Sequence, residues 1–245
     1  KLADYLYNQA AHITPVTESK LEKIKNANIP SHKISIVANG VDFDLINNAI
    51  QKDWRSELRL KNKFILSYAG LIGIAQGVNV IIETAIRLKE EHDIHFLIVG
   101  EGVEKQRLQN RVQSLELNNI TFLQSQSKEL IPSILTASNI ALIPLVNDKL
   151  LDAVPSKLLE AWACKLPVIL IAGGEAANIV SKAQGGIVVN SNNIEEIMSA
   201  IIKLKDSPEL MNKYAQNGYK YVSKHFDRES LARAMEKVIF KIIEL

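Results

Sequence analysis

Short runs of Ile, Leu and Val recur along the chain with few polar residues inside them. KFILSYAG (63–70), IHFLIVG (94–100), NITFL (119–123), NIALIPL (139–145), PVILIAGG (167–174) and GIVV (186–189) are of strand length. They are apolar on both faces, the pattern of strands covered on either side. Between them, apolar residues return at helical spacing over 76–91, 103–115, 128–138, 155–164, 175–183 and 193–205. Two further helical stretches, 207–223 and 228–243, close the chain. Six strands alternating with helices from Lys63 to Val189 predict an α/β fold, a doubly wound parallel six-stranded Rossmann-like sheet with closing C-terminal helices.

The first part reads differently. A helix, an apolar ITPVT strand (13–17), a second helix and a KISIV strand (33–37) lead to the turn signal Asn39-Gly40. Residues 1–40 are expected to be the last piece of a preceding domain and its hinge. Residues 41–62, polar and irregular, read as a linker, 63–225 as a ligand-binding domain and 226–245 as a crossover helix. The chain opens on Lys1 and not on methionine, which suggests a fragment or processed product.

Composition narrows the classes. In 245 residues, 47% are hydrophobic and the net charge is +2, which describes a globular protein with a sizeable core. A balanced charge declares no nucleic-acid partner. The single cysteine, Cys164, makes an intrachain disulfide impossible and sets cytoplasm as the default compartment. No apolar run approaches the roughly 20 residues of a membrane span. The histidines are scattered, with His92 and His95 a weak pair, so no metal site is expected. The sequon at Asn119 falls on a strand start and carries little weight.

In open parallel sheets, ligands bind beyond the carboxyl ends of the strands. Three such ends are unusual here: AGLIGIAQG with Gly70, Gly73 and Gly77, VGEG with Gly100 and Gly102, and the long exit PLVNDKLLDAVPSK. Glycines let backbone amides approach a phosphate, and a following helix offers its positive end, although glycines also simply end strands. Pro155 suits a first helical turn. The amides of Ser156, Lys157 and Leu158 would then form an anion site with the Lys157 charge beside it. Glu160 lies about 6 Å further along the same face as Ser156, a separation that suits a ribose diol next to a phosphate. Asp152, in the preceding loop, could meet a sugar or the leaving phosphate through water. The same spacing also describes an ordinary surface helix with a Lys–Glu pair.

These residues resemble the C-terminal half of a retaining GT-B glycosyltransferase of family 4. VTESKLEKIKNANIPSHKISIVANGVD, YAGLIGIAQGVNVIIETAIRL, FLIVGEGVEKQRL, PSILTASNIALIPL, VPSKLLEAWACKLPVI and GGEAANIV follow in that family's order. VPSK with AQG most resembles the branch of bacterial polysaccharide, O-antigen and colanic-acid transferases. The resemblance implies that Glu160 is the ribose-binding second acid of a paired-acid motif and that Asp152 stands where the first acid belongs. The family's arginine and lysine for the diphosphate are replaced by Leu71 and Gln76, and Lys157 could compensate. Glu101 and Leu123–Gln126, including Gln124, Ser125 and Gln126, match regions lining the base pocket. Gly173, Gly174 and Glu175 form another strand-to-helix corner, for which a structural role is as good a reading.

The resemblance implies transfer from a nucleotide-sugar donor, UDP-linked by preference, without an obligatory metal or other cofactor. The acceptor, a polysaccharide or lipid-linked sugar, would bind a domain outside this chain, so the chain alone would bind nucleotide without completing the reaction. The lysines of SKLEKIKNANIPSHK read first as a solvated helix face and second as a peripheral contact with the anionic inner face of the membrane, and the last helix is expected to leave its apolar face exposed or to pair in a homodimer. Trp54 and Trp162 read as packing residues and Cys164 as inert. The rivals are a GT-B nucleotide-sugar epimerase and a non-catalytic nucleotide-binding module or partner subunit.

Overall fold

All six expected strands form one parallel sheet: β1 Phe64–Ala69, β2 Ile94–Val99, β3 Ile120–Leu123, β4 Ile140–Pro144, β5 Val168–Ile171 and β6 Gly186–Val189. Their order is β3–β2–β1–β4–β5–β6. The computed structural model describes residues 2–145, 150–190 and 193–243; positions 146–149 of the expected long exit after β4 lie outside them. The chain winds outward from β1 to β3, then restarts at β4 beside β1, with Leu66 opposite Ile140. The carboxyl ends of β1 and β4 therefore part at the point where the winding reverses, which opens a crevice there.

Helices cover both faces. Leu66, Tyr68, Phe96 and Ile98 pack under α5 (Asn79–Arg87), α6 (Lys105–Ser114) and α10 (Ile194–Lys205). Ala141, Ile143, Val168 and Leu170 pack under α8 (Ser156–Ala163) and α9 (Gly174–Ala183), with Val222 of α11 (Pro208–His225) beyond. Trp162 of α8 is fully buried and donates to the Gly185 carbonyl at 2.9 Å. On the same face, Ile65, Leu97 and Val99 meet Trp54, Leu60 and Ile134. Alternate residues of each strand thus serve opposite layers, which explains their continuous apolar character.

The KISIV and ITPVT strands do not form. Residues 31–33 make a 3-10 turn, and Ile13 and Ile34 share only an isolated parallel bridge. Ser35 and Val37 donate to the carbonyls of Ile13 and Pro15, at 3.1 Å each. Pro15 has no N–H to return, so the ladder stops there. The residues expected to be irregular after Asp42 instead hold two short helices, α3 (Phe43–Asn47) and α4 (Trp54–Glu57), after α1 (Leu2–Gln9) and α2 (Glu18–Lys25). Asp42 and Asp53 cap α3 and α4 by accepting from Leu45 and Ser56 amides. Trp54 is buried and donates to Ser133 Oγ of α7 (Ile131–Thr136) at 2.8 Å. The helix expected over 76–91 is shorter, because Gly77 adopts the left-handed conformation (φ 64°) and separates a 3-10 turn from α5.

Val41 is clamped to the far end of the chain. Its amide donates to Phe226 O at 2.8 Å, and its carbonyl accepts from Arg228 at 3.0 Å, where α12 (Arg228–Ile243) begins. Arg228 also pairs with Asp42 at 3.1 Å.

Candidate functional site

Two loops cross at the carboxyl end of β1 and β2. Gly100, at φ +146°, lies so close to Gly70 that a Cβ would stand 1.9 Å from the Gly70 carbonyl oxygen. A Cβ on Gly102 would stand 2.2 Å from Ile72 O. The Ile72 amide donates to Glu101 O at 2.8 Å, and its carbonyl accepts from Glu104 at 3.1 Å. These glycines serve backbone-to-backbone packing between the loops as well as any approach of a ligand. The platform they build carries Leu71 largely exposed beside the crevice.

The structure gathers the expected residues around two neighbouring cavities that share Ile131. Gly70, Leu71, Gly100, Glu101, Ser125 and Gln126 line one of about 280 Å³. Ser156 and Glu160 line the other, of about 360 Å³, with Lys128, Gly40 and Asp42. Gln124 is exposed beside the first; its carbonyl accepts from Gln126 Nε2 at 3.1 Å. Gly73 and Gln76 belong to the neighbouring 3-10 turn, with Gln76 Oε1 folded back against Gly73. The Glu160 side chain projects from α8 with no hydrogen bond or salt bridge among the described residues. An acceptor-only carboxylate facing a cavity in this way is free to take the two hydroxyls of a diol.

The start of α8 corrects one detail. Pro155 is its N-cap, and its carbonyl accepts from the Leu158 amide at 3.1 Å. The Leu158 amide is thereby closed, and its side chain is fully buried in the core. Among the described residues, the amides of Ser156 and Lys157 are the ones left open to an anion.

Lys157 folds inward under the first glycine turn. Its Nζ donates to Tyr68 Oη at 2.8 Å and lies 4.2 Å from the centre of the Tyr68 ring. Tyr68 in turn donates to the Leu71 carbonyl at 2.5 Å. Burial pulls the Lys157 amine down to about 8, against the opposing pull of Glu160, and pushes the Tyr68 phenol up. Tyr68 escaped the sequence reading; a phenol two residues before the Gly70 turn was its one signal.

Asp152 is engaged elsewhere. Its carboxylate pairs with Lys23 at 2.8 Å and Lys20 at 3.6 Å, both on α2, and its carbonyl accepts from Thr17 Oγ1 at 3.1 Å. The Lys23 hydrogen bond holds its carboxyl below the usual range. Glu175, buried at the start of α9, accepts from the Ser19 amide at 3.2 Å and from the Ser19 hydroxyl. Asp152 before α8 and Glu175 in the first turn of α9 therefore both hold the N-terminal segment.

Other candidates resolve into structure. Glu101 pairs with Lys105 at 2.6 Å. Burial lowers His95 to about 4, so it stays neutral, and its Nε2 meets Thr121 Oγ1 at 2.9 Å. Asn119 is buried and donates its side-chain amide to Ala85 O at 2.9 Å. Burial pushes the Cys164 thiol up to about 12, which disfavours the reactive thiolate. Among the described residues no three His, Cys, Asp or Glu are grouped to hold a metal, and no helix is long and apolar enough to cross a membrane.

A crevice flanked by glycine turns at the switch point places the chain among Rossmann-like α/β domains that bind ligands at the strand ends. Within that class it belongs to the glycosyl transferases group 1 family, whose model matches residues 50–221. It is similar to the UDP-Gal:alpha-D-GlcNAc-diphosphoundecaprenol alpha-1,3-galactosyltransferase of Escherichia coli, 27% identical over 82% of this chain and 53% of that protein. It is also similar to the alpha-D-kanosaminyltransferase of Streptomyces kanamyceticus, 24% identical over 85% of this chain and 55% of that protein. The chain thus spans about half the length of these relatives. Its fold matches Anabaena Alr3699/HepE, solved in complex with UDP-glucose, with a TM-score of 0.84 over 98% of this chain and 66% of that one, at 17% identity. That fold is a GT-B glycosyltransferase fold.

Proposed function

We propose that this chain is the donor-binding part of a retaining glycosyltransferase that takes its sugar from a UDP-linked donor. One observation carries the reading: the unpaired Glu160 carboxylate faces a cavity that adjoins, across Ile131, the cavity beneath the glycine turns. In this reading Glu160 binds the ribose diol. The Ser156 and Lys157 amides and the turns at Gly70 and Gly100 receive the diphosphate, and Ser125 and Gln126 receive the base. Transfer breaks the bond from the anomeric carbon to the β-phosphate oxygen, releasing UDP, and forms one to the acceptor oxygen, whose proton passes to the departing phosphate. Asp152 reaches the sugar by exchanging Lys20 and Lys23 for sugar hydroxyls. Support for a UDP-sugar comes from the UDP-glucose complex of the Anabaena protein and from the name of the E. coli relative.

The acceptor, a lipid-linked or polysaccharide chain, belongs to the same proposal, and so do metal independence and a place at the cytoplasmic face of the membrane. The diphosphoundecaprenol in the E. coli relative's name supports the lipid-linked choice. A second reading, a non-catalytic nucleotide-binding module, is favoured by the engagement of Asp152 with α2. Calorimetric titration with UDP, GDP and ADP tests the site. Saturable UDP binding, weakened at least tenfold in Glu160→Ala, is expected, since a charged hydrogen-bonding partner contributes roughly 1.5–3 kcal/mol. A folded chain that binds none of the three nucleotides would sink the donor-site reading.

A further inference from the structure

The half-buried Lys157 amine forms no salt bridge with a carboxylate among the described residues, although it carries charge in the interior. A buried charge needs a partner, and a neutral phenol and an aromatic face supply only part of one. The other cations nearby are placed differently. Lys105 is neutralised by Glu101, Lys20 and Lys23 by Asp152, and Lys128 lines the other cavity. Lys157 alone of these sits directly beneath the Gly70 turn, where a Cβ on that glycine would lie 3.1 Å from Nζ. The residues on the turn itself, Leu71 and Gln76, carry no charge.

We propose that Lys157 is the charge-neutralising contact for the donor diphosphate and that Tyr68 is its positioning residue. Tyr68 holds the ammonium beneath the turn and ties it, through its own hydrogen bond to Leu71 O, to the loop that would close over the phosphates. This rests on the donor-site reading and adds the source of charge and its control. The charged or titratable groups facing the amine are Tyr68 on β1 and Glu160 on α8; Glu101, across the adjoining cavity, is already paired. Phosphate binding favours the protonated amine, and burial holds that amine near 8. The site therefore loses its cation as pH rises through about 8, within the range of ordinary buffers. The UDP phosphates do not titrate there, since their last proton leaves near 6.

The test is the UDP dissociation constant measured from pH 7 to pH 9 in wild type, Glu160→Ala, Lys157→Met, Lys157→Arg and Tyr68→Phe, each checked for folding by circular dichroism. In wild type, affinity should fall roughly tenfold across this range, as one protonation is lost. Lys157→Met should bind roughly tenfold to a hundredfold more weakly at pH 7, and its profile should be flat. Lys157→Arg should bind without the pH dependence. Tyr68→Phe, which keeps the ring but loses the phenol acceptor, should move the midpoint to lower pH. A flat wild-type profile, or Lys157→Met binding as wild type does while Glu160→Ala is impaired, would overturn the proposal and leave the donor site standing. An unshifted Tyr68→Phe midpoint would overturn the role given to Tyr68. Absence of UDP binding in folded wild type would overturn both readings.

Discussion

At Gly100 the missing side chain is itself the structural element. Its φ of +146° and the Gly70 carbonyl 1.9 Å from a would-be Cβ leave no adjustment to a side chain that does not separate the two loops. Gly100→Ala should therefore destabilise the fold by about 2–4 kcal/mol, from strained backbone plus overpacking. A lower denaturant midpoint with an unchanged slope would show it, and an unchanged midpoint would contradict the crossing-loop geometry. Gly73 is different, because a Cβ there meets only the movable end of Gln76. From sequence alone, Gly70, Gly100 and Gly102 all read as places where a phosphate could approach. The sequence marked the positions but could not reveal that each loop's nearest neighbour is the other loop. Asp152 shows the same limit: its lysine partners lie more than a hundred residues earlier in the chain.

Among the elements, α8 and α11 meet around Trp162. Gly218 sits inside α11, where alanine would ordinarily favour the helix by about 1 kcal/mol. Here a Cβ would come 2.3 Å from Trp162 Cδ1, so Gly218→Ala should reverse that sign and destabilise the protein. Thermal unfolding of this variant measures the balance, and a raised melting temperature would show that the ring can move aside. The six strands were legible because burial on both faces leaves unbroken Ile, Leu and Val runs. The helices α3 and α4, of five and four residues, were not. Such lengths are too short to display a 3.6-residue period, and their stability comes from side-chain caps and from Trp54 docking on α7. KISIV carried the apolar signature of a strand without a partner able to complete the ladder.

The whole molecule is unevenly bound together. The sheet and its helices share continuous cores, whereas α2 and its N-cap Thr17 are tied to them by polar contacts: Ser19 with Glu175, Lys20 and Lys23 with Asp152, and Thr17 with the Asp152 carbonyl. Exposed ion pairs contribute little and weaken with salt. Amide exchange of α2 should accordingly accelerate in Glu175→Gln and at high salt, while β1 and β4 stay protected. Equal loss of protection in the sheet would mean that the segment is part of the cooperative core.

The clamp between Val41 and residues 226–228 brings two distant points of the chain side by side. Everything between them forms a closed circuit, entered and left at one place. A domain wired in this way can be permuted or inserted into another chain without stretching either end. It also means that whatever precedes Val41 and whatever follows Phe226 share a single pivot.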